Sequence, residues 1–425
     1  MKKKLFIMFF ATVALALIPM IIHAGQLVDI PAADQAKYRA VAPDNSPVIG
    51  EDWTLTLPYY VNSDDPALKE RFGVNHEFPG AFSTRLTREQ VQFLNTLGIR
   101  TESVQLYQIK GKPVCGDGVC QGNERKTCPG DCSSEPEPEP TCYPDNQIPW
   151  GIDTVNGGSG GEDITVAVLD TGVDTDHPDL VDKIVDCVSK VTHFRPDMKD
   201  CEDKHGHGTH VAGTVIANGG PDGLGIYGVA PGAILIVVKV CDKRGFCYGD
   251  DVAAGIRYAA DQDADIISMS FGGDSPDPQV IAAIDDAVAQ GVLPIAAAGN
   301  DGPIDGSIDY PAAYVEVIAA GAIDIDQLVP DWSSRGTNDD DYKIEEKEVE
   351  FGTPGVSIES TYNDGCYAYM SGTSMATPHV AGLAAKLWDT DADTTRAKLQ
   401  TRAQLHDLHD VGDDTATGFG LPIAP

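Results

Sequence analysis

A serine, an aspartate and a histidine in this chain stand in settings that could build a nucleophile. The serine lies in Ser371-Gly372-Thr373-Ser374-Met375-Ala376-Thr377-Pro378-His379. A small, glycine-bearing turn ends in Ser374 and feeds an apolar, small-residue helix expected over Val380 to Leu387. Pro378 is expected in the first helical turn, where its missing N–H costs nothing. The Ser374 hydroxyl then faces free backbone N–H groups and the positive end of the helix dipole. The aspartate ends the buried-strand run Val166-Ala167-Val168-Leu169-Asp170-Thr171-Gly172. Open α/β sheets gather functional groups at the carboxyl ends of their strands. The histidines lie in His205-Gly206-His207-Gly208-Thr209-His210-Val211-Ala212-Gly213-Thr214, a glycine-rich approach to another small-residue helix. Hydroxyl, imidazole and carboxylate together could pass a proton and attack a carbonyl. Each segment alone has a plainer reading: a serine N-cap, an aspartate turn, a metal-binding or solvated loop. Metal fits poorly, because no carboxylate or further histidine lies at an obvious helical spacing.

In chain order the set runs Asp170, His207, Ser374. On these motifs, which match nearly letter for letter, residues 142–425 resemble a subtilisin-like (subtilase) serine protease domain. The resemblance implies that Ser374 is the nucleophile, His207 the general base and then acid, and Asp170 the group that orients His207. His205 and His210 are expected to be structural. Val292 to Asn300 reads as a buried strand ending in an amide. By resemblance, Asn300 donates to the developing oxyanion, with the Ser374 N–H as second donor. Ser268 to Gly273 resembles the family's substrate-binding strand end. Ser270, Phe271 and Gly272 would pair with an extended peptide, as in β-strand addition. Gly245 to Tyr248 would form the opposite wall.

The same resemblance implies that Asp301 to Pro311 lines the primary specificity pocket, with Asp301 at its rim and Asp309 near its base. A carboxylate there favours Lys or Arg before the scissile bond. Lys110 and Lys112 follow the last strand of the segment ahead of the domain, where a self-cleavage site should lie. In the other reading both acids face solvent or cap turns, and the pocket takes large apolar residues. Structural calcium is also implied, held by Asp179, by Asp222 in the Asn218-to-Gly225 loop, and by Asn146. Oxygen ligands suit that ion, and no catalytic cofactor is expected.

The rest of the chain must position these groups. Strand–helix alternation after residue 142 argues for an α/β fold, a mostly parallel sheet in three α/β/α layers. A weaker resemblance makes residues 25–112 a small α+β propeptide, foldase and inhibitor. Within it a helix is expected over Arg88 to Leu97, with Val91, Leu94 and Leu97 on its apolar face, and a strand over Glu102 to Ile109. Gly418 to Leu421 resembles the closing strand of the family fold. Residues 1–24 read as a secretory signal, a basic start, an apolar run and a small residue at Ala24. An uncleaved membrane anchor is the competing reading. Residues 134–141 form a Glu/Pro linker that stays extended.

Ten cysteines behind an export signal point to disulfides. Cys115, Cys120, Cys128 and Cys132 crowd into residues 113–133, read as a disulfide-rich module, with zinc or calcium as alternatives. The local pairs Cys187–Cys201 and Cys241–Cys247 are preferred, leaving Cys142 with Cys366. The formal net charge of −35 makes nucleic acid a poor partner. These readings give a secreted serine endopeptidase that acts on proteins or peptides. It is made as a self-processing zymogen bound by its own propeptide, monomeric and not membrane-inserted once the signal is removed. A catalytically inactive subtilase-fold binding protein is one alternative. A sedolisin-type carboxyl peptidase is another, but that type uses Glu where this chain has His207.

Overall fold

The computed structural model describes residues 56–109, 141–193 and 200–425. The segments read as a secretory signal and as a disulfide-rich module, Lys110 and Lys112, and nearly all of the stretch read as a Glu/Pro linker lie outside the described residues.

The chain forms two compact units, divided after Ser103. In the first unit, β1 (Leu57–Val61), β2 (Glu77–Phe78), β3 (Ala81–Leu86) and β4 (Thr101–Ser103) make an antiparallel sheet of order β2-β3-β1-β4. Helices α1 (Pro66–Phe72) and α2 (Arg88–Thr96) complete it. Helix α2 starts on a reciprocal cap: the Gln90 N–H donates to Thr87 Oγ1, and the Thr87 N–H donates to Gln90 Oε1. Val91 and Leu94 join Val61, Leu68, Phe82 and Leu86 in the core. Leu97 lies beyond the last helical residue and is exposed.

The strand expected over Glu102 to Ile109 is broken. β4 pairs with β1, whereas β5 (Leu106–Ile109) belongs to the second unit. Between them the Gln105 N–H donates to the Asp277 carboxylate at 3.0 Å, and its carbonyl accepts from the Gly249 N–H at 2.8 Å. Those bonds take Gln105 out of any ladder.

The second unit is built on seven parallel strands. They are β6 (Thr165–Asp170), β7 (Ile184–Ser189), β8 (Ile234–Lys239), β10 (Ile266–Met269), β12 (Leu293–Ala297), β13 (Ile318–Ile323) and β14 (Phe351–Pro354), in the order β14-β13-β12-β10-β6-β8-β7. The central strands are continuous apolar runs, as a sheet covered on both faces requires. Following a short helix α3 (Trp150–Thr154), helices α4 (His207–Ile216) and α7 (Thr373–Leu387) pack together, as do α5 (Gly249–Asp261) and α6 (Pro278–Ala289). The result is the three-layer α/β/α arrangement. Two short strands, β9 (Phe246–Tyr248) and β11 (Phe271–Gly272), stand outside the main sheet, and β15 (Ile358–Tyr362) pairs with β16 (Cys366–Met370).

The disulfides Cys142–Cys366, Cys187–Cys201 and Cys241–Cys247 are formed. The last helix, α8 (Ala392–Ala403), is tied to β14 by Arg396, whose guanidinium grips the buried Glu350 carboxylate. Gly418 to Leu421 bridges β14 without becoming a strand. Gly418 and Gly420 both have positive φ, 54° and 105°, and curl the chain away from an extended path.

Candidate active site

Strand β6 carries Asp170 at its carboxyl end, beside Lys239 at the end of β8. Helix α4 begins at His207 and crosses directly over that strand end. A Cβ at Gly208 would stand 2.1 Å from the Gly172 carbonyl oxygen, so only glycine allows the approach. His207 and Asp170 are both buried, and the His207 Nδ1–H donates to Asp170 Oδ1 at 2.8 Å. This leaves Nε2 as the basic nitrogen, and among the described residues it has no hydrogen-bond partner.

Helix α7 begins earlier than its sequence predicts, at Thr373 rather than Val380. Ser374 therefore lies in the first turn, and Pro378 stands inside the helix, past that turn. Proline offers no N–H to the carbonyl four residues back, which is that of Ser374. The Ser270 hydroxyl fills the gap, donating to the Ser374 carbonyl at 2.9 Å. The Ser374 hydroxyl in turn donates to the Ser270 carbonyl at 2.9 Å. Asn300 follows β12, and its Oδ1 accepts from the Thr373 N–H at 3.1 Å and the Thr373 hydroxyl at 2.9 Å. Those bonds fix the amide, with its NH2 as the end turned away from Thr373. Asp170, His207, Asn300 and Ser374 thus come from four strand ends and helix starts at one edge of the sheet.

The arrangement depends on residues that sequence reasoning missed. Asp203 is 3% exposed. Its Oδ1 accepts from the His205 and Gly206 N–H groups and from the Thr171 hydroxyl; its Oδ2 accepts from the N–H and hydroxyl of Thr209. One carboxylate thereby caps α4 and holds the residue after Asp170. The only signal was an acid four residues before His207. Lys239 is also buried, and its Nζ donates to the carbonyls of Thr171 and Glu202. Burial pushes its pKa down, while the carboxylates of Asp203, Asp200, Asp170 and Asp242 oppose that fall. His210 bridges two strands, its Nε2–H lying 2.8 Å from the Ile358 carbonyl and 3.1 Å from that of Ala368.

Beside Ser374 lies a groove already filled by this chain. β5 runs antiparallel between β11 and β9, with Ile109 opposite Phe271, Gln108 opposite Gly272, and Tyr107 opposite Cys247. The Ile109 N–H donates to the Gly245 carbonyl at 3.1 Å. Gly245, Phe271 and Gly272 are therefore the groove's walls. Asp309 is 2% exposed and sits beside Gly272 and Gly299. Asp301 is exposed, and its N–H donates to Ser334 Oγ at 3.0 Å.

Residues 161–420 match the profile of the Subtilase family. The chain belongs to the subtilase family. It is 43% identical over 300 residues to a subtilisin of Bacillus sp. (strain TA39), covering 64% of this chain and 71% of that one. It is 42% identical over 245 residues to an intracellular serine protease of Paenibacillus polymyxa, covering 56% and 72% of the two chains. Among solved structures, Sphericase superposes with a TM-score of 0.64 and 44% identity, over 67% of this chain and all of that one. The subtilase is thus a serine-type endopeptidase that acts on protein substrates.

Asp179, one of the residues expected to hold calcium in this subtilase, is buried beside Tyr367. Its hydroxyl donates to Asp179 Oδ2 at 2.9 Å, and the Ile226 N–H donates to the same oxygen at 2.8 Å. Burial raises the Tyr367 pKa, and the charges of Asp179, Asp222 and Glu359 raise it further. Asn146 donates through its N–H and Nδ2 to Glu359. Asp222 caps its own loop through the Leu224 N–H. Asp179, Asp222 and Asn146 offer oxygen atoms, the ligand type that calcium takes. Glu359 was not foreseen; its partners Asp145 and Asn146 lie more than 200 residues away in the chain.

Proposed function

We propose that this subtilase is a secreted serine endopeptidase made as a self-processing zymogen. Ser374 attacks the scissile carbonyl while His207 Nε2 takes the hydroxyl proton. The C–N bond breaks, His207 returns the proton to the departing amine, and an acyl-enzyme remains on Ser374. Water then adds to the acyl carbon through the same imidazole. Asp170 holds the ring so that Nε2 stays basic and the imidazolium is stabilised. The Asn300 amide and the Ser374 N–H receive the oxyanion.

The observation that carries the zymogen reading is β5. A segment ahead of the catalytic domain occupies the groove in the pairing an extended substrate would use. The basic, then apolar, start of the chain supports export. Among the described residues no helix is long and apolar enough to cross a membrane. Asp179, Asp222 and Asn146 would hold a structural calcium, whose positive charge would offset the acids around it. Binding to the folded state alone stabilises it, so chelation lowers the melting temperature.

The test is the Ser374→Ala chain, expressed in a host lacking other proteases. The proposal expects it to remain at precursor length while wild type shortens. Normal shortening of the variant would overturn the zymogen reading.

A further inference from the structure

The register of β5 fixes which residue of a bound peptide meets Ser374. Gln108 stands opposite Gly272 and Ile109 opposite Phe271. In an antiparallel ladder one step forward on one strand is one step back on the other. A peptide in this register therefore brings its next residue to Ser270. Ser270 is hydrogen-bonded twice to Ser374, so that residue's carbonyl is the one attacked. Its side chain must be received by the surface between Gly272 and the Gly299-Asn300 pair.

Asp309 forms that surface. A Cβ placed on Gly272 would lie 2.7 Å from Asp309 Cβ, and one on Gly299 would lie 2.6 Å from Asp309 Oδ2. Asp309 thus fills the space that two missing side chains leave, and it is 2% exposed. The Asp309 N–H donates to the Ala298 carbonyl at 2.8 Å, which anchors the residue to the end of β12. Oxygens of Asp301 and Asp274 lie within 4.8 Å of it. An apolar side chain entering here would lie against carboxylates and offer them no donor. An ammonium or guanidinium would return charge-assisted hydrogen bonds.

We propose that Asp309 makes this enzyme select Lys or Arg immediately before the scissile bond, and that its own maturation cut is Lys110–Gly111. Lys110 follows Ile109 in the sequence. In that cut Ser374 Oγ bonds to the Lys110 carbonyl carbon, and the bond to the Gly111 nitrogen breaks. The freed amine takes its proton from His207. One water then hydrolyses the ester, restoring the Ser374 hydroxyl and leaving a Lys110 carboxylate. The inference rests on the serine mechanism above, so the test separates the two.

The full-length chain is allowed to mature, and its active sites are counted with a fluorophosphonate. Peptides Tyr-Gln-Ile-Xaa-Gly with Xaa as Lys, Arg or Phe are compared per labelled site. The proposal expects kcat/KM for Lys and Arg to exceed that for Phe by at least about tenfold. Asp309→Asn, which keeps the shape, should lower the Arg-to-Phe ratio by about the same factor. Mass spectrometry of the released segment should end at Lys110. Equal cleavage after Phe and Arg, an unchanged ratio in Asp309→Asn, or a first cut elsewhere overturns the inference while labelling stands. Should Asp309→Asn fail to fold, the wild-type ratio and the cut position still decide. Absence of labelling overturns the serine mechanism itself.

Discussion

Ser270 and Ser374 hold each other through reciprocal hydrogen bonds, each hydroxyl donating to the other's carbonyl at 2.9 Å. Pro378 makes one of these bonds necessary, because it removes the helical N–H that the Ser374 carbonyl would otherwise accept. Ser270→Ala leaves that buried carbonyl without its donor, at a cost of about 1–3 kcal/mol. Urea unfolding should show this loss, and kcat should fall more than KM rises, because the turn that carries the proposed nucleophile is loosened. Ser270→Thr, which keeps the hydroxyl, should recover most of both. An Ala variant as stable and as fast as wild type would show that the bond positions nothing.

Asp203 joins the α4 cap to the turn after Asp170. Asp203→Ala removes a cap and leaves several buried N–H groups unpaired, costing roughly 2 kcal/mol or more. His207 should lose orientation as well, so kcat falls, whereas Asp203→Asn retains part of both properties. Thermal melts and peptide kinetics on the two variants check this. A stability loss with no change in kcat would confine Asp203 to folding.

Acid should act through His210. Burial, the larger cause, and the neighbouring His207 push its pKa from 6.5 down to about 3. Its Nδ1 is buried with no partner, so the folded ring resists a second proton. The unfolded chain therefore binds that proton first, and stability is lost as pH falls from 6.5 towards 3. Asp174 and Asp413, raised to about 6 chiefly by burial, work the other way between pH 6 and 3.8. The clean readout is consequently the difference between wild type and His210→Gln. Wild type should lose its advantage as pH falls through this window, by up to about 5 kcal/mol. A difference independent of pH would contradict the assignment.

Glu350 is buried and takes Arg396 Nε and Nη2, with the Gln400 amide as a further donor. Arg396→Met strands that charge and should cost about 3–5 kcal/mol in denaturant unfolding. Replacing Glu350 by Gln in the same chain should recover part of the loss. Additive losses in the double variant would mean that the pair is not coupled.

Much of the site was legible because its motifs are short. Asp170, His207 and Ser374 each sit in an unbroken run whose local form, strand end or helix start, is set by its own residues. The β12 run ending at Asn300 is of the same kind. Lys239 was illegible because its partners are the Thr171 and Glu202 carbonyls, which only the sheet brings to it, and Asp203 because an acid in a loop ahead of a helix does not reveal that it also reaches the Thr171 hydroxyl. The start of α7 was misplaced because Pro378 looks like a first-turn residue until Ser270 supplies the missing donor. β4 and β5 read as one strand because alternation does not register the side chain of Asp277, which captures the Gln105 N–H.

The central claim is that Ser374 is a nucleophile activated by His207. The most direct measurement is labelling of the matured enzyme with a fluorophosphonate at several pH values, followed by peptide mass mapping. The account predicts one label on the peptide carrying Ser374, formed at a rate that His207→Ala lowers by orders of magnitude. Labelling at another residue, or a rate untouched by His207→Ala, would contradict it.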